Sequence, residues 1–155
     1  MGQQGVSQVS AKAVALQFLK IRLRSITELK EKLAVKGFSK GIIETSINEL
    51  IASGLLDDRA FTKSWINYRL ARPFGFRRIK QELRAKGIEQ EIIEEISAGF
   101  EGKYQPEKVA LELAQRRWQR LPDIAPEKKK KRVLGFLLRR GFEMDIAMKV
   151  LKKIL

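Results

Sequence analysis

The sequence predicts an all-α protein built as a tandem array of three three-helix, helix-turn-helix-like repeats, elongated and curved. Three observations carry that expectation. One pattern recurs three times: an apolar residue, three others, Leu, two others, a basic residue, Gly, then Phe or Ile, three others and Ile. It reads Leu29, Leu33, Lys36, Gly37, Phe38, Ile42, then Ile79, Leu83, Lys86, Gly87, Ile88, Ile92, then Val133, Leu137, Arg140, Gly141, Phe142, Ile146. The glycines lie 50 and 54 residues apart, close to the periods of known repeat architectures. Apolar residues fall at 3.6-residue rather than 2-residue spacing throughout, and hydrophobic residues make up 44% of the 155-residue chain, enough for a buried core.

Each element follows from this frame. A leading helix carries Val14, Leu16, Phe18, Leu19 and Leu23. Ser25-Ile26-Thr27-Glu28 is a capping box that opens the second helix. Leu29 and Leu33 give that helix its stripe, Lys36 lies in its last turn, and Gly37 supplies the left-handed position beyond it. The third helix places Ile42, Ile43, Ile47, Leu50 and Ile51 on one face and runs out at Gly54. The second repeat starts on Asp57 or Asp58 as N-cap, carries Phe61, Trp65 and Tyr68, bends at Pro73-Phe74-Gly75, and repeats the hairpin before stopping at Gly99. In the third, Pro106 and Pro126 are N1 prolines; Val109, Leu113, Ala114 and Trp118 form the leading stripe, and Ile146, Ala147, Val150, Leu151 and Ile154 the last one. The expected boundaries are a disordered tail over 1–10 and repeats over 11–56, 57–100 and 101–155.

The chain has no cysteine or histidine, which removes disulfide scaffolds, thiolate chemistry, Ser-His-Asp triads and nearly every zinc site. No phosphate-binding loop or nucleophile–base pair is visible, so neither enzyme activity, cofactor nor metal is expected. Asp57-Asp58 read as caps rather than paired catalytic carboxylates. No run approaches the length of a membrane span and no secretory signal opens the sequence, which leads to the expectation of a cytoplasmic protein. Lys and Arg total 32 against 18 Asp and Glu, a formal +14, so the partner is anionic: nucleic acid, lipid or an acidic protein surface. The charge is uneven, +6 over 57–86, −5 over 87–102 and +9 over 103–155.

At Leu55-Leu56-Asp57-Asp58-Arg59-Ala60-Phe61, at the run from Arg72 through Pro73-Phe74-Gly75-Phe76-Arg77-Arg78 to Ile88, and at Phe136-Leu137-Leu138-Arg139-Arg140-Gly141-Phe142, the chain resembles the bacterial RecX regulators of the RecA recombinase. The middle run is the most specific, and the likeness spans about residues 11 to 155. The resemblance implies a non-enzymatic negative modulator lying in the helical groove of the RecA filament on single-stranded DNA. It also implies suppression of ATP hydrolysis, strand exchange and the coprotease role by blocking filament extension, with direct DNA contact weak.

Arg69, Arg72, Arg77, Arg78, Lys80 and Arg84 surround the proline bend, where guanidinium groups held on one surface would pair with phosphates or carboxylates. Arg116, Arg117 and Arg139, with Arg120, Arg140 and the run Lys128–Arg132, could track a nucleic-acid backbone. Lys36, Lys86 and Arg140 read as helix C-terminal charges. Trp65, Tyr68, Trp118, Phe136 and Phe142 read as core, whereas Phe74 and Phe76, flanking the bend, stay open between core and contact. Three internal repeats point to a monomer. The competing reading is an independent helix-turn-helix-like DNA-binding protein, against which stand the glutamates Glu91, Glu94 and Glu95 of the helix after Gly87.

Overall fold

The computed structural model describes residues 3–154, with side chains described from residue 11. Nine helices are present among them: α1 (Gln3–Ile21), α2 (Ile26–Val35), α3 (Lys40–Ala52), α4 (Asp58–Leu70), α5 (Phe76–Ala85), α6 (Gln90–Ala98), α7 (Pro106–Arg120), α8 (Pro126–Arg139) and α9 (Met144–Ile154). They group as three successive three-helix repeats. The described residues contain no strand; one bridge joins Glu101 to Tyr104 in the turn before α7. No described helix is long and apolar enough to cross a membrane. The tail expected over 1–10 falls partly on Met1 and Gly2, outside the described residues, and partly on the first turns of α1, whose side chains are not described.

The hairpin turn is built identically three times. Phe38, Ile88 and Phe142 donate their amides to the carbonyls of Leu33, Leu83 and Leu137 at 3.3, 3.1 and 3.2 Å. Gly37, Gly87 and Gly141 donate to Ala34, Arg84 and Leu138, each at 3.0 Å. This is the Schellman closure, which satisfies orphan carbonyls at the end of a helix. It requires the left-handed backbone seen at Gly37, Gly87 and Gly141, with φ of +92°, +78° and +93°. Gly54 (φ +76°) ends α3 the same way, but Gly99 does not adopt this conformation; Gly102 (φ +84°) does, three residues later.

The described chain divides into two compact units, residues 1–65 with 83–96, and residues 66–82 with 97–155. In the first, α1 packs on α3 and α2 over a core of Ala15, Leu29, Leu33, Ile43, Ile47, Leu50 and Leu56. In the second, α7 packs on α9 and α8 over Ala110, Ala114, Val133, Leu137, Phe142, Ala147 and Val150. The predicted hairpin pairs Leu29/Leu33, Ile79/Leu83 and Val133/Leu137 are all fully buried. Burial on that scale is worth about 1.5–3 kcal/mol per large side chain.

The helix starts refine the expectation. Ser25 Oγ accepts from the Glu28 amide at 3.0 Å, but the Glu28 carboxylate leaves the capping box for Arg22 (2.9 Å) and Lys86 (2.6 Å). Asp57 caps α4, its Oδ1 accepting from the Arg59 amide at 2.9 Å. Asp58 instead turns to α2 and accepts from the Ile26 amide at 2.8 Å. The two acids are both caps, of different helices.

Candidate partner-binding surface

Within the second unit, the bend between α4 and α5 meets the turn after α8. The Gly75 amide donates to the Arg140 carbonyl at 2.9 Å. The contact is so close that a β-carbon on Gly141 would stand 2.5 Å from the Arg78 nitrogen. Tyr104, half-buried, donates its hydroxyl to the Phe74 carbonyl at 2.7 Å and sets its ring edge-on to Phe76 at 5.4 Å. Burial pushes the Tyr104 phenol up to about 12. The bend is thus fixed by backbone bonds on one side and an aromatic contact on the other, which holds the Phe74 ring in place.

Three guanidinium groups surround that ring: Arg69 at 4.4 Å, Arg78 at 4.5 Å and Arg140 at 5.3 Å from its centroid. The quadrupole of the ring face attracts each cation. Arg140 lies also 5.2 Å from Phe136, which carries Arg117 at 5.5 Å, so two rings join four arginines into one array. Glu82 is the anion within it. It takes Arg69 in a two-pronged contact, Arg69 Nε donating at 2.7 Å, and Arg78 at 3.4 Å. The Glu82 hydrogen bond holds Arg69 above its ordinary value. One carboxylate among four cations leaves the cluster positive.

The first unit shows the same junction with a carboxylate at the position of Arg78. There, Ser25 Oγ donates to the Lys86 carbonyl at 2.7 Å, the same carbonyl that Gly75 addresses at Arg140. Lys86 Nζ reaches Glu28 at 2.6 Å and stands 4.4 Å over Trp65. In the repeat register Glu28 corresponds to Arg78 and Lys86 to Arg140. Where the first junction seats a carboxylate, Glu28, among Lys86, Arg22 and Arg24, the second seats a cation. Burial pushes the Glu28 carboxyl up, but the hydrogen bond and charge of Lys86, with Arg22, outweigh it and leave it below its ordinary value.

Of the residues expected to bind a partner, the structure gathers Arg69, Arg78 and Arg117 into this array. Arg72 is exposed and lies 4.6 Å from the Tyr68 ring. Arg77 is exposed on the first turn of α5, and Lys80 is half-buried one turn on. Arg84 falls in the first unit, its Nε donating to Gln90 at 2.8 Å. Arg116 is exposed on α7. Arg139 is exposed and folds its guanidinium along Gly135, while its carbonyl accepts from Arg78 at 3.4 Å. In the run Lys128–Arg132, Lys130 pairs with Glu127 at 2.8 Å and Lys129 lies 5.4 Å from Trp118. Sequence reasoning missed Arg140 and Lys86 as junction residues, reading both as helix-end charges and Arg140 also as part of a nucleic-acid track, and placed Tyr68 in the core although it is 50% exposed. The signal for Arg140 was present in the glycine beside it, since a backbone without a β-carbon admits a neighbour.

Family models match all three repeats: RecX, first three-helix domain, over residues 11–50; RecX, second three-helix domain, over 57–96; and RecX, third three-helix domain, over 105–151. The chain belongs to the RecX family. It is 31% identical over 144 residues to the regulatory protein RecX of Amycolatopsis mediterranei, covering 92% of this chain and 82% of that one. The regulatory protein RecX of Vibrio parahaemolyticus is 31% identical over 148 residues (88% and 86%). The crystal structure of RecX from Lactobacillus salivarius superposes with a TM-score of 0.83 at 24% identity, over 96% of this chain and 97% of that one. Both of these sequence relatives, from Amycolatopsis mediterranei and Vibrio parahaemolyticus, are named as regulatory proteins.

Proposed function

We propose that this RecX protein is a non-enzymatic, cytoplasmic negative modulator of RecA recombinase. In this reading it binds as a monomer in the groove of the RecA–DNA filament. It inhibits ATP hydrolysis, strand exchange and coprotease activity by blocking filament extension, and direct DNA contact is secondary. The observation that carries the reading is the excess of cation at the second junction, where Arg78 and Arg140 share the Phe74 ring although the first junction pairs Lys86 with Glu28. A fold that can seat a carboxylate at this position and instead seats a guanidinium group there is suited to carboxylates or phosphates of a partner. Exposed Arg72, Arg77 and Arg116, with Arg139, extend the same character outward. Of the remaining candidates, Lys80 adds charge on α5, and Arg84 belongs to the first unit.

The alternative, an independent DNA-binding module, is disfavoured by α6, which follows the second turn and carries Glu91, Glu94 and Glu95 on nine residues. A helix of that charge is repelled by the phosphate backbone. Titration into RecA on single-stranded DNA, following ATP hydrolysis, tests the proposal beside a binding curve on naked DNA at two salt concentrations. Inhibition persisting below one modulator per protomer is expected, and joint charge reversal of Arg72, Arg77 and Arg78 should weaken it. Tight, salt-sensitive DNA binding without any effect on hydrolysis would establish the alternative.

A further inference from the structure

The two repeat junctions share one construction: a basic-glycine turn receives the start of a hairpin helix from the preceding repeat. At Lys86-Gly87 the guest is the first turn of α2, with Ser25 on the carbonyl, Glu28 on the ammonium, and Thr27 so close that a β-carbon on Gly87 would lie 2.2 Å from its hydroxyl oxygen. At Arg140-Gly141 the guest is the first turn of α5. The first repeat carries the same turn at Lys36-Gly37-Phe38, closed by the same pair of backbone bonds. Among the described residues no guest is seated there. A β-carbon on Gly37 would meet no atom within 4 Å, Lys36 is exposed, and the adjoining Val35, at 88% exposure, stands open to solvent.

We infer that the Lys36-Gly37-Phe38 turn is a docking site for the first turn of a helix on a partner protein, one with a hydroxyl N-cap and a carboxylate three residues later. This inference rests on the two occupied junctions and is independent of filament regulation. The outward carbonyl of the turn needs a hydrogen-bond donor, which a phosphate lacks, so a nucleic-acid backbone fits it badly. A second copy of this chain fits badly as well. Ser25 already holds the Lys86 carbonyl and Gly75 the Arg140 carbonyl, which leaves α8. That helix starts seven residues before Val133, whereas α2 and α5 start three before Leu29 and Ile79. The added turn places the equivalent of Ser25, Lys129, within the helix instead of at its cap, and the equivalent of Glu28 is Arg132, a like charge for Lys36.

The probe is a hydrocarbon-stapled helical peptide of residues 24–35, the helix start that Lys86 holds, titrated into the isotope-labelled full chain. Amide shifts centred on residues 35–38 are expected. E28K in the probe, or K36E in the chain, should weaken binding roughly tenfold or more, and K36E combined with the E28K probe should recover it. Lys36 is exposed but caps the C-terminus of α2, so K36E should lower the melting temperature only slightly, by the helix-dipole effect, and K36Q gives a second, milder reading. Shifts mapping elsewhere, no shift at millimolar probe, or an E28K probe binding as well as its parent would each overturn the assignment. Sedimentation as a dimer that K36E abolishes would assign the turn to a second copy instead.

Discussion

Gly75 and Gly141 meet backbone to backbone: a β-carbon on Gly75 would stand 2.2 Å from the Gly141 carbonyl oxygen. Backbone cannot swing aside as a flexible side chain can. Gly75→Ala should therefore destabilise the second unit by about 1–3 kcal/mol, the usual cost of overpacking, read by chemical denaturation. Gly41→Ala is the control. It lies in the first turn of α3 with open space around it and should stabilise by up to about 1 kcal/mol through helix propensity.

Glu28 titrates below its ordinary 4.5 because Lys86 and Arg22 outweigh the penalty of its burial. A depressed carboxyl contributes stability that is present above that ordinary value and lost as pH falls through the native one. Arg24, 4.0 Å away, adds to the cationic side. Asp58, raised by burial, acts in the opposite sense, which makes the difference between the parent and Glu28→Gln the informative quantity. That difference, from melting temperatures across pH 2 to 7, should be constant near neutrality and shrink in acid.

Tyr104, pushed to about 12 by burial, keeps its proton in the folded protein after an unfolded chain has lost it near pH 10. Its contribution should be intact below about pH 10 and fall away between there and 12. Ultraviolet absorbance should resolve a late phenolate transition that Tyr104→Phe removes. The same variant should lose about 1 kcal/mol at neutral pH, since the Phe74 carbonyl loses its donor.

Arg69 and Arg77 should separate stability from binding. Arg69 is half-buried, clamped by Glu82 and stacked on Phe74. Arg69→Ala should lower the melting temperature, because it strips Glu82 of its main partner. Arg77 is exposed, so Arg77→Glu should leave the melting curve within about 0.5 kcal/mol of the parent while weakening inhibition of RecA ATP hydrolysis.

The fold was readable because its signals are local. A leucine four residues after an apolar partner, a cation and a glycine specify a helix end wherever they occur, and all three turns close on those residues. Pro106 and Pro126 open α7 and α8 for an equally local reason, their fixed φ. The candidate surface was half readable. Arg69 and Arg78 were conspicuous beside the proline bend, but their convergence with Arg140 on one ring depends on contacts between residues more than sixty positions apart, and no periodicity encodes that. α6 does stop just before Gly99, but the left-handed glycine of that stretch is Gly102, three residues on, and spacing alone does not tell the two apart.

The backbone carbonyl at position 86 or 140 secures each junction whatever side chain stands opposite, as the exchange of Glu28 for Arg78 demonstrates. Adhesion and surface field are thereby assigned to different atoms. Descendants of such a sequence are free to repaint the electrostatic face of a seam, one residue at a time, without reopening the question of how its modules hold together.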